Sequence, residues 1–114
     1  MKIAIIGSRG VKIDNIGKYL PDGVDEIVSG GAKGVDSCAA EYARINKIPL
    51  TEFLPEYSLY GRAAPLKRND KIAEYADECI AFWDGASRGT KYTIKAFEGL
   101  GKKIKIVKVS SDNQ

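Results

Sequence analysis

The chain has 114 residues, 44% of them hydrophobic and 29% charged, as expected of one soluble globular domain with a core of its own. Its net charge of +3 is too balanced to point to nucleic acid as a partner, and no apolar run approaches the roughly 20 residues of a membrane span. There is no histidine, which removes the commonest general base and metal ligand, and the two cysteines lack metal-ligand spacing, so no metal site is expected.

The opening segment KIAIIG (2–7) is a nearly continuous apolar run, which suits a central strand buried on both faces. It is too short for a signal peptide, so a cytoplasmic location is expected by default. After the turn GSRG (7–10), residues 12–20 space Ile13, Ile16 and Leu20 as an amphipathic helix does. DEIVSG (25–30) reads as the second strand, and the Gly-rich stretch SGGAKGVD (29–36) follows it. Residues 34–46 carry Val35, Cys38, Ala39, Tyr42 and Ala43 at helical spacing, which makes Cys38 a reduced core thiol.

IPLTEFL (48–54) is the third expected strand. The long connection PEYSLYGRAAP, with Tyr57 and Tyr60, suits a lid or a dimer surface. Residues 62–76 form a helical stripe of Leu66, Ile72, Ala73 and Ala76, on which the polar Asn69 also falls. ECIAFWD (78–84) reads as a second central strand and makes Cys79 another core thiol. The turn WDGASRGT (83–90) leads into a helix over 89–100, with Ile94, Phe97 and Leu100 on one face. Its end, GLGKK, supplies a stopping glycine and lysines suited to the negative end of the helix dipole. KIKIVKV (103–109) alternates Ile104 and Ile106 with lysines, as a strand near an edge does. SSDNQ is polar, so residues 110–114 are expected to be a disordered tail on a domain of residues 1–109.

Strict β-α alternation predicts a Rossmann-like three-layer sandwich on a five-stranded parallel sheet, with right-handed crossovers. The three Gly-rich turns all leave the carboxyl ends of strands, the edge where open α/β sheets bind ligands. They hold seven of the twelve glycines. Without Cβ atoms, backbone N–H groups approach a ligand closely, and at a helix start those groups are unpaired and the dipole is positive. Such turns suit phosphate or another anion. Otherwise they are simply tight βα turns. The chain lacks the P-loop string G-x-x-x-x-G-K-[ST]. It also lacks G-x-G-x-x-G after the first strand, so neither a P-loop nucleotidase nor an ordinary dinucleotide dehydrogenase is expected.

Candidate ligand-binding residues follow from this edge. In the first turn they are Gly7, Ser8 and Arg9, the arginine placed to grip phosphate in a fork or else solvated. In the second they are Ser29, Gly30, Gly31, Gly34 and Asp36. Asp36 either compensates the helix dipole or accepts from ribose hydroxyls or a base amine. Lys33 either adds charge there or is merely solvated. Arg68 and Asn69 belong near the rim. Trp83, Asp84, Ser87, Gly89 and Thr90 come from the last turn, Trp83 either stacking on a base or packing the core.

Four segments in this order, IIGSRG, SGGAKGVD, KRND (67–70) and WDGASRGTKYTIKAFEGLGKKIKIV, resemble the SLOG superfamily. That superfamily is named after the DNA-processing protein Smf/DprA and the Lonely Guy enzymes. The likeness is to its small stand-alone, YspA-like members. The resemblance implies a Rossmann-like fold and a pocket for nucleotides or nucleotide-derived ligands, often in a homodimer. By position it implies that Gly7, Ser8, Arg9, Gly30, Gly31, Gly34 and Asp36 line the pocket, with Arg68, Asn69, Ser87, Gly89 and Thr90 completing it.

Lonely Guy enzymes hydrolyse an N-glycosidic bond and carry P-G-G-x-G-T-x-x-E. Here the segment is GASRGTKYT, and Thr93 stands in the glutamate's place. Threonine cannot act as that carboxylate. A sensor or binding module with no added cofactor is therefore expected ahead of an N-glycosidase-like or phosphoribohydrolase-like enzyme. Such an enzyme would need Asp36, Asp84 or Glu98 for its carboxylate. Single-stranded DNA binding, the role of the DNA-processing relatives, ranks last, because the chain has only the minimal fold and a mild charge.

Overall fold

The computed structural model describes residues 1–8 and 10–110. Five strands, β1 (Lys2–Gly7), β2 (Glu26–Ser29), β3 (Leu50–Glu52), β4 (Glu78–Trp83) and β5 (Lys103–Lys108), form one parallel sheet in the order β3-β2-β1-β4-β5. The helices are α1 (Val35–Ile45), the single turn α2 (Tyr57–Tyr60), α3 (Ala64–Tyr75) and α4 (Arg88–Gly99). The two continuous apolar runs are interior strands, as expected. β1 and β4 each bury their four central residues and lie side by side, with Ile3 level with Glu78 and Gly7 level with Phe82.

Successive residues of a strand point to opposite faces, so β1 supplies two cores at once. Ile3 and Ile5 join Ile27 and Phe82 under Val35, Ala39 and Ala43 of α1. Ala4 and Ile6 join Val28 and Ala81 under Ile72 and Ala73 of α3 and Ile94 and Phe97 of α4. This is the three-layer sandwich that the β-α alternation predicts. Fully burying a side chain of the size of Phe97 contributes about 1.5–3 kcal/mol. No helix among the described residues is long and apolar enough to cross a membrane.

The expected helix over 12–20 does not form; only a 3-10 turn, Ile16–Tyr19, is present. The segment is shorter than an isolated helix needs, and Asp14, Asn15 and Gly17 favour turns. Tyr42 packs where a side chain at Gly17 would go, since a Cβ there would lie 2.8 Å from its hydroxyl. The apolar spacing nonetheless marks the inward residues. Ile16 is buried, and Ile13 and Leu20 pack beside it.

β3 is also shorter than expected, three residues at the sheet margin with Leu50 and Leu54 exposed. β5 is an edge strand as expected, but Ile106 is exposed. Ile104 and Val107 are the residues of β5 that pack, on opposite faces of the sheet. The end of α4 is stopped by Gly101 at φ 69°, whose neighbour Lys102 donates its N–H to Phe97 O at 3.0 Å. The Lys102 ammonium serves a different helix from the one expected. It donates to the Ala73, Glu74 and Ala76 carbonyls at 2.7, 2.9 and 2.8 Å, capping the carboxyl end of α3.

Both cysteines are free. Cys79 is buried and its thiol pKa is pushed up by burial, whereas Cys38 is half-buried and accepts from Ile13 N at 3.5 Å. Of the expected tail, residues 111–114 lie outside the described residues.

Candidate functional site

From β1 the chain moves to one side of the sheet, through β2 to β3, and from β4 to the other, to β5. A parallel sheet opens a crevice where its strand order reverses in this way, outside the carboxyl ends of the two strands. Here the ends of β1 and β4 are tied together. Ser8 N donates to Phe82 O at 3.2 Å, and Asp84 N donates to the Ser8 hydroxyl at 3.4 Å. Above this junction lies a cleft of about 480 Å³, within the range of small-molecule sites. Ile6, Gly7, Ser8 and Gly10 line it from β1 and the first turn.

The turn after β4 is built by its own side chains. The Asp84 carboxylate accepts from Ala86 N at 2.9 Å and Ser87 N at 2.8 Å, and these bonds hold its pKa below the usual carboxylate value. Ser87 caps α4, its hydroxyl accepting from Thr90 N at 3.4 Å. Ser87 O takes Lys91 N at 3.2 Å. Helix geometry leaves the Arg88 and Gly89 N–H groups without an intrahelical acceptor. A Cβ on Gly89 would meet no protein atom within 4 Å. The glycine therefore answers to the space of the cleft and not to packing. Thr93, one turn on and buried, also lines the cleft, and its hydroxyl donates to Gly89 O at 2.9 Å.

The turn after β2 is held differently. Ser29 is fully buried, and its hydroxyl accepts from Gly31 N at 3.3 Å. The Asp36 carboxylate accepts from Ala32 N at 3.0 Å and is only 8% exposed. Burial raises its pKa, while the Ala32 bond and the Arg68 charge pull it back down. Arg68 reaches across from α3. It donates to Gly30 O and Phe53 O from Nη1 and, at 2.7 Å, to the Asn69 side-chain oxygen from Nε. A Cβ at Gly30 would stand 2.6 Å from Arg68 Nη1 and 3.1 Å from Asp36 Oδ2, so glycine permits this close stacking.

Of the candidate residues, Gly7, Ser8, Gly30 and Asp36 line the cleft together with Arg68 and Asn69. Asp84, Ser87, Gly89 and Thr90 do so from the last turn. Four others do not. Ser29 is spent inside the turn, and Gly34 is the residue before α1 at φ 76°. Gly31, at φ 70°, lines a smaller neighbouring hollow. Trp83 packs against the α3–α4 core and donates its indole N–H to Ser87 O at 3.0 Å. This is the packing alternative expected for it. Arg9 lies outside the described residues.

Sequence reasoning missed Ile6, Gly10, Ala32, Pro65, Leu66, Ile72 and Thr93 as lining residues. Thr93 carried a usable signal, because it falls three residues after Thr90 and so on the same helix face. Leu66 and Ile72 read as core, and Leu66 is in fact 38% exposed. Glu98 is exposed in the last turn of α4 and does not line the cleft. Among the described residues no group of three or more His, Cys, Asp or Glu side chains could hold a metal ion. Set against protein-family models, curated proteins and solved structures, the chain matches none of them.

Proposed function

We propose that the chain binds a nucleotide or nucleotide-derived ligand in this cleft, as a sensor or binding module of the SLOG superfamily. The observation that carries the reading is the start of α4. There a capped helix N-terminus borders the cleft, and Gly89 leaves open space beside it. Unpaired N–H groups and a positive dipole end suit a phosphate. Pro65 and Leu66 offer an apolar patch for a base, and the Asn69 amide and Ser8 hydroxyl offer polar contacts beside it.

Binding is favoured over turnover by the state of the polar groups. Asp36 and Asp84 each hold backbone N–H groups of their own turns, and the Thr93 hydroxyl is bonded to Gly89 O. A homodimer is part of the proposal, supported by Leu54 and Leu59, which are 61% and 64% exposed on adjoining segments.

The test is a thermal-shift screen with nucleoside mono-, di- and triphosphates, cyclic nucleotides, NAD, ADP-ribose and cytokinin nucleotides. A ligand at a hundred times its Kd adds about 2.7 kcal/mol, roughly ten degrees in Tm for a domain of this size. One phosphate-bearing class is expected to give such a shift, and Gly89→Leu, which fills the cleft beside α4, to abolish it. No shift with any of these compounds would overturn the reading.

A further inference from the structure

A second hollow, of about 310 Å³, abuts the main cleft. The two share Gly30, Ala32 and Arg68, so the loop after β2 and one guanidinium form their common boundary. That boundary is held by hydrogen bonds. The Gly31 and Ala32 N–H groups are already bonded to Ser29 and Asp36, and Arg68 is fastened to the Gly30 carbonyl. A Cβ at Gly31 would lie 2.5 Å from Leu54 Cδ2, so this stretch also fits closely against the β3 side.

Beyond the boundary the lining changes character. Lys33, Pro55 and the ring of Tyr57 replace the hydroxyls and small residues of the main cleft. Tyr57 is 57% exposed, and among the described residues its side chain makes no hydrogen bond or ring contact, so its ring face is open to an incoming group. An aromatic ring and a proline beside two cations suit a planar base joined to phosphate.

We propose that the ligand is two-headed: a nucleotide in the main cleft, joined through phosphate that passes Arg68 to a second base or ring lying against Tyr57. The inference rests on the nucleotide reading of the main cleft. It commits that site to dinucleotides over mononucleotides. Linking two heads across adjacent subsites raises affinity by making the second contact intramolecular.

The experiment compares, by titration calorimetry on the full chain, the adenosine mono-, di- and triphosphates with diadenosine di-, tri- and tetraphosphate, and repeats the set with the guanosine, cytidine and uridine compounds. The best two-headed compound is expected to bind about tenfold more tightly than the matching single-headed one, the size of one base–aromatic stack. Tyr57→Ala is expected to erase that advantage and Tyr57→Phe, which keeps the ring, to retain it. Equal affinities for single- and two-headed compounds would overturn the second subsite while leaving the nucleotide cleft standing. So would an advantage that survives Tyr57→Ala. Binding by neither class would overturn both.

Discussion

The turn after β2 and the turn after β4 look alike in sequence. Each follows an apolar strand, combines glycines with a serine, an aspartate and a basic residue, and opens a helix. Their glycines nevertheless answer to different constraints. In the first turn Gly30 makes room for Arg68 and Asp36, and Gly31 and Gly34 take φ of 70° and 76°. In the second only Gly85 has a positive φ, and Gly89 touches nothing at the position a Cβ would occupy. One turn uses glycine to build a closely packed wall, and the other uses it to keep a cleft open. Composition alone cannot tell these apart, because the difference lies in what faces the missing side chain.

The largest test of that contrast is Gly34→Ala. A Cβ at φ 76° and ψ −123° is strained, which should cost about 1–3 kcal/mol and lower Tm by roughly 5–15 °C in a melt. Ser87→Ala should come next. It removes the cap of α4, with a loss of about 1 kcal/mol, and it also weakens ligand binding by loosening the helix start. Gly89→Ala should move the two readouts apart. An alanine at this second helical position replaces glycine with no clash, raising stability by about 0.4–1 kcal/mol, while the added methyl group crowds the cleft and weakens ligand binding. If Gly89→Ala destabilised the fold as Gly34→Ala does, the contrast between the turns would be lost.

The smallest test uses the two aspartates, whose pKa values move in opposite directions. Burial raises Asp36 above its ordinary 3.8, so the folded chain binds the proton better than the unfolded one. Its contribution is most favourable below 3.8 and falls as pH rises through the folded value. The Ala86 and Ser87 N–H groups lower Asp84, whose contribution is complete above 3.8 and is lost as pH falls through its folded value. Melts from pH 7 down to pH 3 should therefore show Asp84→Asn less stable than wild type at neutral pH, with a deficit that shrinks toward acid. Asp36→Asn should compare best with wild type at neutral pH and lose that advantage toward acid. Parallel profiles for the two variants would show that the aspartates do not sit in opposed environments.

The sheet edge that carries the candidate cleft was legible in the chain. Three turns at one sheet edge follow from β-α alternation, and ten of the fifteen candidate residues do line the cleft. Ser29 and Gly34 do not line the cleft, because a residue beside a ligand-suited turn has the same type and spacing whether it faces the cleft or holds the turn from behind. Ile72 is core as read, but Leu66 misled in the other direction, since an apolar stripe does not record that part of it borders an opening.

By itself the sequence determined the parallel sheet, its two buried central strands, the helices over 34–46, 62–76 and 89–100 to within a residue or two, and the edge that carries the cleft. These follow from local periodicity and burial, which are properties of short segments. Only the tertiary structure decided that 12–20 is a turn packed under Tyr42, that Lys102 caps α3 and not α4, and that Arg68 spans from α3 to the loop after β2. Each of these joins segments far apart in the chain. Which partner a side chain finds depends on how the layers are stacked, and no local pattern encodes that.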